Sequence, residues 1–101
     1  MAWGYVQTVE GVDLQAYDAV AAEIGDETPT GAIIHAAGLY EGKLRVMEVW
    51  ESEEAYRRFR DERLAPALQK VMGPDAFNSD WPPPGLEPME VHNLLQAEQA
   101  G

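Results

Sequence analysis

Residues 31–50 read GAIIHAAGLYEGKLRVMEVW and predict a β-hairpin. Residues 31–40 are largely apolar, and residues 43–50 alternate in polarity and include β-branched side chains, as expected of two paired strands. Glu41 and Gly42, which lie between them, favour a tight turn. Because successive side chains of a strand point to opposite faces of the sheet, the length of this turn determines which residues face each other.

The turn predicts that one histidine faces one carboxylate across the hairpin. With a two-residue turn at 41–42, counting back along both strands places His35 opposite Glu48 and Ile33 opposite Trp50. A four-residue loop keeps this register, whereas a three-residue loop shifts it. Residues that face each other in this way have β-carbons about 4.5–5.5 Å apart, which is close enough for the two side chains to interact.

The segments on either side of the hairpin complete a β-α-β-β-α-β order. Asp13 is a good N-cap and Gly25 a C-terminal stop for a helix whose apolar residues recur at helical spacing. Ser52 caps a second helix, which we expect to kink near residues 63–65 because Pro66 lacks a backbone donor. The other predicted segments are a first strand at 3–9, a proline-rich ordered loop at 73–88, a last strand at 89–96 and a frayed tail at 97–101.

This element order predicts a single α+β domain that spans residues 1–101. Right-handed crossovers place both helices on one face of a four-stranded antiparallel sheet with the strand order 4-1-3-2. The other face of the sheet is then bare, and exposing apolar surface to water costs about 25 cal/mol per Å². A second copy of the same sheet is the simplest cover, so we expect a homodimer.

Composition and charge argue against several classes of partner and chemistry. The chain has 18 acidic and 7 basic residues and a net charge of -11, whereas a phosphate-binding surface needs lysine and arginine. Nucleic acid and membranes are therefore not expected partners, and no apolar run approaches the roughly 20 residues of a membrane span. The chain contains no cysteine, which excludes thiolate catalysis and cysteine-held metal centres. Without an evident signal peptide, these features favour the cytoplasm.

The facing pair His35 and Glu48 is the strongest candidate site. The strand that carries Glu48 is predicted to be central, and a buried carboxylate is costly unless it is paired. A carboxylate that accepts from one ring nitrogen of His35 leaves the other nitrogen as a general base, and Trp50 supplies an aromatic wall for a flat apolar ligand. A cross-strand polar pair that only satisfies itself is the structural alternative. Both faces of the hairpin are largely apolar, so the face that carries the pair stays open.

Other candidates for ligand contact are the apolar and aromatic residues Ile33, Tyr56, Phe59 and Trp81. Tyr56 and Phe59 also fit a helix core, and Trp81 fits either a pocket cap or a contact with a partner subunit. His92 is predicted on an outer strand away from His35, as a surface or interface residue. Three metal ligands are therefore not expected to converge, and we predict no metal site. No phosphate-binding or nucleotide-binding motif is present, so no cofactor is expected either.

Residues 47–56 read MEVWESEEAY and resemble the strand-to-helix signature of the antibiotic-biosynthesis-monooxygenase-like group of dimeric α/β-barrel proteins. Glu48 and Trp50 match its Glu-x-Trp strand end, and residues 34–38 are similar to segments of small proteins in this superfamily. The resemblance implies a ferredoxin-like protomer, a sheet-to-sheet dimer and a pocket in each protomer. Some relatives oxidise polycyclic phenols without metal or flavin, and others degrade haem or isomerise small acids. The chain departs from the group at Phe59, a position that often carries histidine.

Three functions are compatible with these features. The first is a cofactor-independent enzyme, monooxygenase-like or isomerase/cyclase-like, that acts on an aromatic or polyketide-like molecule with His35 as base, Glu48 as its orienter and Trp50 as pocket wall. The second is a non-catalytic homodimer that binds a small ligand or has a regulatory role. The third is a structural or interaction domain without a useful cavity. A cavity of about 300 Å³ or more beside His35 would argue against the third function.

Overall fold

The fold is described by a computed structural model that covers residues 2–96. The strands are β1 (Trp3–Val9), β2 (Ala32–Tyr40), β3 (Lys43–Trp50) and β4 (Leu86–Glu90), and the first helix, α1, is Leu14–Ile24. The second helix, α2, runs through Glu53–Phe59, a π-helical segment at Arg60–Leu64, and Ala65–Met72. The strands pair antiparallel in the order β2-β3-β1-β4. This result confirms the predicted α+β class and the strand order 4-1-3-2.

The helix ends follow the capping residues of the sequence. The Asp13 side chain accepts from the Ala16 backbone N–H at 2.8 Å, and α1 ends at Gly25. The Ser52 hydroxyl accepts from the Ala55 backbone N–H at 3.1 Å and starts α2. Each of these side chains satisfies a backbone donor that the first helical turn leaves unpaired.

Helix α2 is distorted just before Pro66, as a π-helical segment that overlaps residues 63–65, where the sequence predicts a kink. Ala65 donates its backbone N–H to the carbonyl of Arg60, five residues back instead of four. Pro66 has no N–H to donate, and its ring crowds the preceding turn, so the helix widens at this point instead of continuing with regular α-helical bonds.

The hairpin has the predicted register over most of its length. Glu41 and Gly42 have φ values of 51° and 77°, so both turn residues are left-handed, as in the turns that match the twist of a hairpin. His35 faces Glu48 across the ladder. The two-residue turn therefore brings these two residues together as the sequence predicts.

The register shifts by one residue near the start of β2. Trp50 faces Ala32, whereas its neighbour on β3 faces Ile34, so Ile33 is an extra residue in the ladder. The predicted pairing of Ile33 with Trp50 was therefore wrong. A β-bulge places two residues of one strand opposite one of the other, and turn-based counting assumes that no such insertion occurs.

Strand β4 begins and ends earlier than residues 89–96, where the sequence predicted it, so that boundary was wrong. Pro88 pairs with Tyr5 inside the sheet. Strand β4 is an edge strand, and an edge strand tolerates proline because one side of its backbone has no neighbouring strand to bond. Assigning Pro88 to the loop displaced the predicted strand toward the C-terminus.

His92 consequently lies beyond β4 and is exposed, in contrast to its predicted position on the last strand. The predicted tail at 97–101 lies outside the described residues. Across residues 2–96, no helix combines the length and the apolar character that crossing a membrane would require.

An aromatic cluster forms much of the core between the sheet and the helices. Trp3, Tyr5, Trp50 and Tyr56 are each exposed by 7% or less. The ring centroid of Tyr56 lies 4.8 Å from that of Tyr5 and 5.4 Å from that of Trp3. The ring of Trp81 joins the edge of this cluster, 6.0 Å from Trp3. The core thus anchors the proline-rich loop to the protomer's own sheet.

Gly85, at the end of that loop, lies very close to the backbone of β1. It has a φ of +80°, and a β-carbon there would lie 2.3 Å from the backbone oxygen of Thr8. We expect Gly85→Ala to lower the free energy of unfolding by about 3 kcal/mol, from left-handed strain plus this clash, as measured by urea denaturation. Gly11 has a φ of +77° with no atom within 4 Å of the added carbon, so Gly11→Ala should cost only about 1 kcal/mol. If both variants lost the same free energy of unfolding, the close contact with Thr8 would have no effect on stability.

Candidate functional site

The His35–Glu48 pair lies on the sheet face that the helices cover, which answers the question that the sequence left open. Glu48 faces Tyr5 of β1 on one side and His35 of β2 on the other. The side chain of Glu48 is 8% exposed, whereas that of His35 on the outer strand is 46% exposed. A buried carboxylate thus meets an imidazole that solvent and small molecules can reach.

Glu48 accepts hydrogen bonds at both carboxylate oxygens. Its Oε1 accepts from the Tyr5 hydroxyl at 2.6 Å and from the Trp50 indole Nε1 at 2.8 Å. Its Oε2 is hydrogen-bonded to Nδ1 of His35. Three hydrogen-bond partners around one carboxyl group replace the water that it loses on burial.

Both ring nitrogens of His35 have partners. Nδ1 faces Glu48, and Nε2 lies 2.5 Å from the hydroxyl of Tyr17 on α1. An ionised carboxylate can only accept, so Nδ1 carries a proton and Nε2 of the neutral ring accepts from Tyr17. The hydrogen bond to Glu48 raises the pKa of His35 above its ordinary value of 6.5, while partial burial opposes this effect.

Tyr5 and Tyr17 complete the network, and sequence reasoning missed both. Burial, reinforced by the charge of Glu48, raises the pKa of each phenol, so both remain protonated donors. No turn joins β1 to β3, so no register that pairs Tyr5 with Glu48 could be predicted. A signal for Tyr17 was present, because it lies on the apolar face of α1, which packs toward the sheet.

A cavity of about 490 Å³ opens beside this network, between the sheet and the two helices. His35, Glu48 and Tyr17 are among its polar lining residues, and most of the other lining residues are apolar or aromatic, including Val12, Val20, Ile24, Leu44 and Leu68. Small-molecule sites typically combine such a volume with apolar walls and a few polar groups. The volume exceeds the threshold of about 300 Å³ and argues against a domain without a useful cavity.

Six of the residues that the sequence singled out line this cavity: Ile33, His35, Glu48, Trp50, Tyr56 and Phe59. Trp50 both lines the wall and donates to Glu48, and the second role was not predicted. Trp81 lies elsewhere and packs 6.1 Å from Tyr56, with the guanidinium of Arg57 4.5 Å above its ring. The sequence-based reading of Trp81 as a ligand contact does not fit this placement, because the protomer's own core takes up the indole.

The cavity lining contains acidic residues but no lysine or arginine. Asp26 and Glu27 belong to it in addition to Glu48. The nearby Arg63 is turned to the backbone, where it donates to the carbonyls of Ile24 at 2.9 Å and Glu27 at 3.2 Å. Together with the net charge of -11, this lining disfavours a negatively charged ligand.

Potential metal ligands do not converge in the described part of the chain. Within residues 2–96, no group of three or more histidine, cysteine, aspartate or glutamate side chains could hold a metal ion. His35 and Glu48, two such residues of the cavity lining, are hydrogen-bonded to each other.

Comparison with solved structures supports the fold. A crystal structure from Chloroflexus aurantiacus J-10-fl, provisionally named an antibiotic biosynthesis monooxygenase, aligns with a TM-score of 0.59 and 15% identity, over 97% of this chain and 98% of that chain. The structural-genomics protein YJCS aligns with a TM-score of 0.49 and 18% identity, over 89% and 95% of the two chains. The sequence matches no family model and no curated protein. The ferredoxin-like fold that the resemblance implied is confirmed.

Proposed function

We propose that this protein is a cofactor-independent, monooxygenase-like enzyme that acts on a neutral aromatic or polyketide-like molecule with His35 as the base. The observation that carries this proposal is the His35–Glu48 pair at the wall of an apolar cavity of about 490 Å³. The fold shared with a structure provisionally named an antibiotic biosynthesis monooxygenase supports the same class. Phe59 stands where that group often has histidine, so in this chain the base comes from the sheet.

The chemistry begins with removal of an acidic proton from the substrate. Glu48 fixes the tautomer of His35 and stabilises the imidazolium that forms. The resulting aromatic enolate is electron-rich and reduces molecular oxygen, which is the oxidant. With anthrone, the reacting carbon loses two hydrogens, one oxygen atom becomes its carbonyl oxygen, and the other leaves as water.

Anthrone and oxygen provide the test, with oxygen uptake as the readout and no added metal or cofactor. We expect kcat/KM to rise with pH through a pKa above 6.5, because the base must be neutral and its pKa is raised in the folded protein. His35→Gln should lower kcat/KM by about 100-fold or more and remove this pH dependence. His92→Gln is the matched control, since His92 is exposed and outside the sheet. Full activity of His35→Gln would overturn the proposal.

A ligand-binding or regulatory protein without catalysis is the second candidate. The observation that favours it is that the carboxylate and both imidazole nitrogens of the network already have partners. Such a site can hold an apolar molecule without reacting with it. Saturable binding of anthrone in calorimetry, without oxygen uptake at any pH, would favour this candidate over the enzyme.

We further propose that the protein forms a homodimer through the sheet face that carries no helix. The apolar residues of this face include Val6, Ile34, Ala36, Met47, Val49 and Met89. Met47 and Met89 are 47% and 50% exposed. A second sheet would remove this apolar surface from water, in agreement with the dimer that the resemblance implies.

A further inference from the structure

The Tyr17 hydroxyl and the His35 ring are arranged for proton transfer. The two ring planes differ by 7°, and their centroids are 6.1 Å apart. The 2.5 Å distance from the hydroxyl to Nε2 is too short for rings stacked face to face, so the rings meet edge to edge. The lone pair of Nε2 lies in the plane of the imidazole. The phenol oxygen, in a plane nearly parallel to that of the imidazole, lies within hydrogen-bond distance of this lone pair.

The hydrogen-bonding capacity of these groups determines where a substrate can deliver its proton. Neutral Nε2 has a single lone pair, and Tyr17 occupies it. The oxygen of Tyr17 gives its one proton to Nε2 and keeps acceptor capacity, and Tyr17 lines the cavity. A hydroxyl group in the cavity thus finds its acceptor on Tyr17 and not on His35.

We propose that Tyr17 is the catalytic residue that contacts the substrate and relays its proton to His35, and that the substrate is a neutral apolar molecule with a phenol or enol hydroxyl. This inference rests on the proposed function. The substrate O–H bond breaks, and its proton forms a new bond to the Tyr17 oxygen. The original Tyr17 proton moves to Nε2, which gives an imidazolium paired with Glu48. Tyr17 ends neutral and donates its new hydrogen to the substrate oxyanion.

The charges around the relay determine which substrates fit. Burial raises the pKa of Tyr17, so its phenolate does not accumulate and the positive charge comes to rest on His35 beside Glu48. The acidic cavity lining contains no lysine or arginine that could receive an anionic group. A carboxylate or phosphate ester is therefore disfavoured, whereas a neutral hydroxyl becomes charged only after it has bound.

Tyr17→Phe provides the kinetic test, because it keeps the aromatic ring and removes only the hydroxyl. With anthrone, whose enol tautomer carries the hydroxyl, we expect kcat/KM to fall by about 100-fold, as in His35→Gln. Tyr40→Phe is the matched control, since Tyr40 is 60% exposed at the end of β2. If Tyr17→Phe keeps or raises the rate while His35→Gln loses it, the relay is overturned and the proposed function stands. If His35→Gln also keeps the rate, the proposed function fails.

Calorimetric binding of naphthalene derivatives tests the contact without turnover. The wild-type protein should bind 2-naphthol about 10-fold more tightly than naphthalene, because one hydrogen bond contributes about that factor to the affinity. It should bind 2-naphthoate more weakly than either. Tyr17→Phe should bind naphthalene as the wild type does and lose the preference for 2-naphthol. A wild-type protein without this preference, or a Tyr17→Phe variant that keeps it, would overturn the contact.

Discussion

Glu48→Gln is expected to lower kcat/KM for anthrone by about 100-fold or more, as His35→Gln does, while the cavity keeps its shape. The reason lies in the donors around the carboxyl group. The indole N–H of Trp50 can only donate, so the amide oxygen of the glutamine must take the place of Oε1, where Trp50 and Tyr5 both donate. The amide NH2 group then points at Nδ1 of His35.

This orientation of the amide reverses the histidine tautomer. Nδ1 becomes an acceptor for the amide, and the ring proton moves to Nε2, where it donates to Tyr17. The imidazole can then no longer take a proton from the cavity side. The matched control is Glu90→Gln, an exposed residue of β4 that should leave the rate unchanged. A Glu48→Gln variant with near-normal kinetics would show that the tautomer has no role in turnover.

The same substitution should lower the free energy of unfolding by about 3 kcal/mol, because it removes a buried charge-assisted network. The pH dependence of stability gives a second readout. The pKa of His35 is raised in the folded protein. The pair therefore adds stability that is fully present below about pH 6.5 and is lost as the pH rises through the folded-state pKa. Urea denaturation between pH 5 and 9, all in ~0.1 M salt, should show this decline in the wild type but not in Glu48→Gln.

Met47→Asp is expected to dissociate the proposed homodimer and raise its Kd by at least about 100-fold. Met47 lies on central strand β3, on the face that carries no helix, so a carboxylate there would be buried against the second sheet. Leu14→Asp is the matched control, because Leu14 is 46% exposed against 47% for Met47 but lies at the start of α1. Light scattering on the three proteins measures the oligomeric state. A monomeric wild type, or a dimeric Met47→Asp, would contradict the proposed interface.

The sequence predicted best those parts of the site that a local rule determines. The His35–Glu48 pairing followed from the two-residue turn, because a hairpin turn of given length allows only one register of its two strands. The bulge at Ile33 lies beyond the reach of that rule. It forms near Gly31, whose carbonyl accepts from the backbone N–H of Glu51 at 2.8 Å, and this contact depends on how the loop meets the end of β3.

The missed residues are those whose partners come from distant segments. Tyr5 reaches Glu48 across 43 residues of sequence, and Tyr17 reaches His35 across 18. Neither distance is bridged by a turn of defined geometry, so the residue types alone gave no reason to select these tyrosines over the others. Pro88 misled the prediction of β4 because its effect depends on whether its strand is central or at the edge, a property of the whole sheet.

The π-helical segment at Arg60–Leu64 determines which side chains of α2 line the cavity. In a regular α-helix of 3.6 residues per turn, Phe59 and Leu64 would point about 140° apart. The wider turn brings both of them to the cavity wall. One surplus residue in the middle of α2 thus changes the shape of the cavity without changing either end of the helix. Insertion or loss of a single codon in this segment is a route by which proteins of this fold could diverge in the size of molecule that they accept.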